Sequence, residues 1–413
     1  MKKKYLILST LGLFMFSCKQ HPVLKVASPY YQKENASDFT STASFKYTDC
    51  LTLKADSDVT SELTNVDYYI DKNTKREYLS FLSPVTKSIL IYDFNQKTIA
   101  KKVPLYNAGK NKTGRIISPS SISMISKDSI AYFNFDHLFI LDTLGNKLKS
   151  VELHSPPKKE YDFLNDTEAR PCPGTYSPII SAGNSIYVMS GYNSLVTDQT
   201  KVRDVLKVDI ANKKVNPVVN RPEIYNYGYW GYNENLYKLY GNFNPQTRQI
   251  IFSYPADPFL YSYNVDNGKV LKERFAGSKF FKQIEPYKTE HEVAMPPISD
   301  DIMQQSAEHE IRNPSYYSLL YDATNNIYIR IAFLPLTKAE YNNPLTRYKF
   351  RCTFIILDNK FKKIGEQIIG NGTDVDYHLM FVQNGYLHIF NKSKYRKNNN
   401  QLPFDRYKIE LKS

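Results

Sequence analysis

The 413-residue sequence is poor in cysteine, and its four cysteines are badly spaced for cross-linking. Cys18 closes an N-terminal apolar run, and Cys50, Cys172 and Cys352 are odd in number and more than 100 residues apart. A disulfide scaffold is therefore excluded, and no Cys-x-x-Cys or Cys/His spacing offers a zinc site. Free, partly buried thiols are expected, with one long-range bridge as the alternative. The sequence also has only one uniformly apolar stretch, Tyr5 to Phe16. It is shorter than the roughly 20 residues of a spanning helix, which excludes a multi-span membrane protein. Gly-x-Ser-x-Gly, phosphate-loop and dinucleotide fingerprints are all missing. No metal or cofactor is expected. Acidic residues are outnumbered, 41 against 54 Lys+Arg, for a net charge of +13. No nucleic-acid fold motif accompanies that charge, so a nucleic-acid partner is not expected. With 42% hydrophobic and 23% charged residues, the composition is globular.

The first 18 residues carry an address. Met1-Lys2-Lys3-Lys4 is a positive start, Tyr5–Phe16 an apolar core, and Ser17-Cys18 is followed at once by polar Lys19-Gln20-His21. A small residue directly before a cysteine at this point resembles a bacterial lipoprotein signal; an ordinary secretory signal is the alternative. The resemblance implies removal of residues 1–17, acylation of Cys18 and stable anchoring by two or three acyl chains. Residues 18–42 show no strand or helix period and read as a flexible tether. No acidic run follows Cys18, so the outer membrane with a periplasm-facing domain is the expected location.

From residue 43 onward one pattern recurs. An apolar strand, a polar turn, a second strand, a variable loop, a third strand ending in Asp or Asn, a tight turn and a fourth strand opening on Lys form a unit. The third strands with their turns are ILIYDFNQK (89–97), LFILDTLGNK (138–147), VLKVDIANKK (205–214), LYSYNVDNGK (260–269) and FIILDNKFKK (354–363), and DRYKIEL (405–411) ends the chain. Asp or Asn followed by Gly/Asn after an apolar pair is hairpin chemistry. First strands begin near 67, 121, 177, 238, 316 and 377. Five units have four strands and the sixth has three, which would leave an open edge. ASFKYTDCLTLKA (43–55) alternates and is otherwise unpaired. Placed beside DRYKIEL it closes a ring. The predicted fold is all-β, a six-bladed β-propeller spanning 43–413 whose last blade is closed by the N-terminal strand. An elongated β array or two β domains are the alternatives.

The lipoprotein signal, the Lys/Asn/Tyr-rich composition and these hairpins resemble the TolB-like six-bladed propeller lipoproteins of Bacteroidota, and within them the family termed domain of unknown function 4221. The resemblance covers about residues 40–413 and implies the propeller fold. It brings no catalytic residues.

Strand polarity sorts the connections into two classes. First-to-second and third-to-fourth turns are short, as at Lys127-Asp128 and Gly183-Asn184. The long connections, 106–120, 154–176, 191–204, 220–237, 277–315, 334–350 and 391–404, all leave from the opposite strand ends. Long loops in a compact domain usually carry function. The segment YNYGYWGYNENLYKLY (225–240) places Tyr227, Tyr229, Trp230 and Tyr232 in such a loop. Their rings either bind sugar or peptide, or fill space between blades. Arg115 in loop 106–120, and Lys394 and Arg396 in the run Lys392–Lys397, are candidate anion contacts or solvated surface charges. Segment 299–313 reads as a small helical insertion, with Ser299 as N-cap, Asp300-Asp301 in its first turn and Asn313-Pro314 as its stop. Glu290-His291-Glu292 and Glu308-His309-Glu310 lie in the same insertion without the spacing of a helical metal site.

The reading that results is a lipid-anchored, monomeric, non-enzymatic envelope propeller that binds a protein, peptide or glycan through its long-loop face. The alternative is a hydrolase or lyase of glycans or lactones at the same face, which would need paired carboxylates at the channel mouth.

Overall fold

A computed structural model describes residues 39, 41–56, 59, 63–154, 170–192, 196, 198–232, 234–288, 299–347 and 349–412. The signal segment 1–17, Cys18, nearly all of the tether and Glu290-His291-Glu292 lie outside the described residues.

The outer closing strand β1 (Ala43–Lys54) is followed by blade 1, formed by β2 (Thr64–Ile70), β3 (Glu77–Ser83), β4 (Ser88–Asp93) and β5 (Thr98–Pro104). Blade 2 is β6 (Ser120–Ser126), β7 (Ser129–Asn134), β8 (His137–Asp142) and β9 (Lys147–Glu152). Blade 3 is β10 (Arg170–Pro171), β11 (Ile180–Ala182), β12 (Ser185–Tyr192), β13 (Val205–Asp209) and β14 (Lys214–Pro217). Blade 4 is β15 (Tyr240–Asn244), β16 (Gln249–Ser253), β17 (Phe259–Asn264) and β18 (Val270–Phe275). After helix α1 (Asp300–Arg312), blade 5 is β19 (Ser315–Asp322), β20 (Ile327–Leu334), β21 (Arg351–Leu357) and β22 (Lys363–Ile368), with α2 (Lys338–Asn342) between β20 and β21. Blade 6 is β23 (Val375–Gln383), β24 (Tyr386–Asn391) and β25 (Gln401–Leu411), with α3 (Lys392–Lys397) before β25, and β1 pairs on its outside.

Closure follows the register expected from the sequence: Tyr47 lies opposite Tyr407, and Ala43 opposite Leu411. Strand β1 also ties blade 6 to both neighbours. The Phe45 amide donates to Gln367 Oε1 of blade 5 at 3.1 Å, and the Lys54 amide to the Lys97 carbonyl of blade 1 at 2.8 Å. Gly365 is required at this seam, because a Cβ there would sit 2.3 Å from the Ala43 carbonyl oxygen.

The recurrent Asp/Asn at the third-strand ends caps its own turn. Asp93 Oδ1 accepts from the Gln96 amide at 2.9 Å, Asp142 Oδ1 from the Asn146 amide at 2.8 Å, and Asp358 Oδ1 from the Lys362 amide at 2.8 Å. The core is divided into layers between adjacent blades. Leu79, Phe81 and Tyr92 of blade 1 pack on Phe381, Phe390 and Phe404 of blade 6, and Ile329, Phe354 and Ile356 of blade 5 on Met380 and Ile389.

Two local outcomes differ from the sequence reading. The inner strand expected over 177–182 is reduced to β11, and Cys172–Ile179 leaves the sheet. Pro171, Pro173 and Pro178 have no amide to give to a ladder, so pairing breaks there. The basic run Lys392–Lys397, placed by the sequence in a long connection, is α3, started by Asn391, whose side chain accepts from the Lys394 amide at 2.8 Å. The helix expected at 299–313 is α1, with the Ser299 cap in place.

Candidate functional site

The aromatic loop does not form a surface. Tyr229, Trp230 and Tyr232 are buried, and half-buried Tyr227 packs against the same core layer. The cause is local chemistry. Arg221 is fully buried and pairs bidentately with Asp204, Nε–Oδ2 3.1 Å and Nη2–Oδ1 2.7 Å, while its guanidinium lies over the Tyr225 and Tyr237 rings. Tyr225 then packs on Trp230 at 5.7 Å between ring centroids. The Tyr232 amide donates to Ser306 Oγ of α1 at 2.9 Å, and Tyr229 exchanges backbone bonds with Lys288. The loop is an inter-blade filler clamped by the 276–314 insertion, the packing alternative of the sequence reading. Arg115 and Arg396 are exposed, Arg115 on the connection before β6 and Arg396 on α3. Lys394 is bound to Asp405 at 2.6 Å, which also lifts its pKa. The structure brings neither Lys394 nor Arg396 together with Arg115 into one described site.

The concavity lies instead at the channel mouth, where the inner strands begin. It has a volume of about 610 Å³, within the range of ligand sites. Its walls come from several blades: Asn65 before the body of β2, Ser120 opening β6, Gly174–Tyr176 from the broken strand of blade 3, Lys238 and Tyr240 at β15, Tyr317 on β19, and Asp376 and His378 on β23. Pro84, Pro119 and Pro173 add apolar edges. Below it a second space of about 180 Å³ lies between the inner strands, beside Asp67, Asn242 and Tyr321. Gly174 and Thr175 line both, so the excursion from blade 3 stands between mouth and lumen. That excursion is pinned. Thr175 Oγ1 accepts from the Val66 amide at 3.2 Å, the Gly241 amide donates to the Tyr176 carbonyl at 2.9 Å, and the buried Tyr176 hydroxyl donates to the Tyr377 carbonyl.

At the mouth, the Tyr317 hydroxyl meets His378 Nδ1, and the His378 amide donates to Asp376 Oδ1 at 2.9 Å. Burial pushes the Tyr317 phenol far up, so it stays protonated and can give its hydrogen to Nδ1. In that tautomer the ring's remaining nitrogen, Nε2, carries the proton. Desolvation by the surrounding walls lowers the His378 pKa; Asp376 opposes this, and Lys238 and Lys392 add to it. The imidazole is neutral at pH 7. The tyrosines support one another, with Tyr317 at 5.3 Å from Tyr176 and 5.5 Å from Tyr240. Asn65 has φ 54° and donates through Nδ2 to the Ser120 carbonyl at 2.7 Å, while its buried Oδ1 has no partner. Lys238 is the one Lys or Arg, and Asp376 the one carboxylate, among the described lining residues. No group of three or more His, Cys, Asp or Glu converges on a metal position among the described residues.

Sequence reasoning assigned no binding role to Asn65, Lys238, Tyr317, Asp376 or His378. Their common signal is position, since each sits within three residues of the start of a first strand.

Six antiparallel blades, one face of long connections and a plugged, lined axial mouth define a six-bladed β-propeller with one elaborated face. Residues 42–368 match the family described as Domain of unknown function (DUF4221), and the chain belongs to that family. A solved DUF4221 member from Bacteroides vulgatus ATCC 8482 is 17% identical, with a TM-score of 0.72, covering 90% of this chain and 100% of that one. A candidate exported protein of Bacteroides fragilis NCTC 9343 is 8% identical, with a TM-score of 0.52, covering 91% of this chain and 98% of its own. At these identities the likeness concerns the fold. No curated protein matches. No helix among the described residues is long and apolar enough to cross a membrane.

Proposed function

We propose that the protein is an exported propeller, anchored through acylated Cys18 to the outer membrane and facing the periplasm, that binds a peptide, protein or glycan at the channel mouth without transforming it. The observation that carries this reading is the mouth itself, a concavity of about 610 Å³ lined by polar groups that come from several blades. Strand polarity supports the orientation. β1 starts at the short-turn end, where Ala43 meets Leu411, so the tether enters opposite the long loops.

The hydrolase or lyase alternative has one observation in its favour, the Tyr317–His378 contact that orients an imidazole at the mouth. Two-carboxylate chemistry needs a second acid, and Asp376 is the one carboxylate among the described lining residues.

The test is affinity retention of fractionated envelope material on immobilised protein. The wild type should retain a component that Lys238→Ala/His378→Ala loses and that Asp209→Ala, on a short turn, keeps. Equal retention by all three would remove the mouth from the function. Labelling with a palmitate analogue should mark the wild type and not Cys18→Ser.

A further inference from the structure

We propose that the ligand of this mouth is an acidic sugar, a uronic-acid-type ring at the end of or within a glycan, held by its carboxylate at Lys238. The inference rests on the binding reading above and names the ligand class. Three features of the site carry it.

The first is charge. Lys238 Nζ makes no ion pair within 4.0 Å among the described residues, with Asp376 or any other carboxylate. A ligand bearing one anionic group satisfies that amine, and charge-assisted contacts of this kind are the stronger ones. The second is a surplus of acceptors. Asn65 Oδ1 is buried and unpartnered, and Asp376 spends one oxygen on a backbone amide. Such groups require donors, and vicinal hydroxyls supply several on one small ring. With Nδ1 accepting from Tyr317, His378 Nε2–H complements them with a donor for a ring or hydroxyl oxygen. The third is the apolar surface. Tyr317, Pro84, Pro119 and Pro173 line the mouth with apolar surface for the C–H side of a sugar, and Tyr176 and Tyr240 pack on Tyr317 at 5.3 and 5.5 Å between ring centroids.

Gly174 lies between the key groups. A Cβ there would sit 3.5 Å from Lys238 Nζ and 3.9 Å from Asn65 Oδ1, ordinary contact distances. A side chain at 174 therefore occupies the space beside the amine without colliding with the backbone, so Gly174→Val blocks the site by volume while Lys238→Met removes only its charge.

The experiment is calorimetric titration of the soluble domain with digalacturonate, its dimethyl ester, maltose and a glutamyl dipeptide, with thermal unfolding of each variant as the fold control. Digalacturonate should bind, and the ester at least 10-fold more weakly. Lys238→Met should cost the acid at least 10-fold and leave the ester unchanged, and Gly174→Val should abolish both. Maltose binding as tightly as the acid, or an acid affinity indifferent to Lys238→Met, overturns the proposal. Binding of the dipeptide alone overturns the sugar while the mouth stands as a binding site. No binding of any probe, with Gly174→Val still abolishing retention of envelope material, overturns the acidic sugar only. No binding together with retention indifferent to Gly174→Val overturns both readings.

Discussion

At the scale of single residues, the chemistry that looked most like recognition is spent on packing. Trp230 is 1% exposed and wedged against Tyr225, so Trp230→Ala should destabilise the fold by about 3–5 kcal/mol, the usual cost of emptying an aromatic core site. Urea denaturation reads this. An unchanged midpoint with lost ligand retention would show instead that the ring is a contact. His388 gives a second expectation. It is fully buried, stacked on Phe381 at 4.4 Å, and neither ring nitrogen has a hydrogen-bond partner. Burial lowers its pKa from 6.5 to about 3, with Arg406 adding to the effect. Between those values the unfolded chain binds the proton and the folded chain does not. Its contribution is therefore full above pH 6.5 and shrinks on acidification by about 1.4 kcal/mol per pH unit. Asp67 works the other way. Burial raises its carboxyl to about 6, so the fold retains that proton where the unfolded chain has released it, and acidification below pH 6 favours the folded state. The two partly cancel in the wild type. The difference between wild type and His388→Phe isolates the imidazole: the variant's relative stability should rise steadily from pH 6.5 to 4. A flat difference would mean that the imidazole ionises in place.

At the scale of elements, legibility depended on whether an element's signal was local. Strands β6 and β7 fall where the 121–126 and 129–134 patterns place them, because alternation and a two-residue turn are written in adjacent residues. Helix α1 was legible for the same reason, through Ser299 and Asn313. The excursion at Cys172–Ile179 was not, since Pro173 and Pro178 only break a ladder and its new partners, Val66, Gly241 and Tyr377, come from other blades. The candidate site was illegible likewise: Asn65, Lys238, Tyr317 and His378 are ordinary residues until closure brings their strand ends together. The clamp between α1 and the aromatic loop is also non-local. Ser306 is buried and its Oγ accepts the buried Tyr232 amide. Ser306→Val should leave that amide unpaired and cost about 1–3 kcal/mol. Amide exchange at Tyr232 should quicken, and protection as strong as in the wild type would mean that the hydroxyl is dispensable.

At the scale of the whole molecule, the chain's ends are a matter of connectivity rather than of architecture. Blade 6 is completed by the antiparallel pairing of β1 with β25, and Ala43 and Leu411 are direct neighbours at its outer corner. A short linker from 411 to 43 would make β23, β24, β25 and β1 one continuous meander like the other five blades. A permutant opened in the 55–63 connection between β1 and β2 therefore keeps every blade. Cut so that Ala55, Val59 and Leu63 stay packed in the core, it should unfold in one transition, within about 1 kcal/mol of the wild type, since moving one loop closure contributes little. Deleting residues 1–54 without reinsertion exposes the β25 edge and removes the seams to blades 5 and 1, including the Phe45–Gln367 and Lys54–Lys97 bonds. That chain should lose cooperative unfolding and aggregate. Calorimetry of the pair decides the matter, because both lack the native entry of the tether and only one lacks the strand. If the permutant fails as the deletion does, what the ring requires is the native connection from β1 into blade 1, and not merely a fourth strand in blade 6.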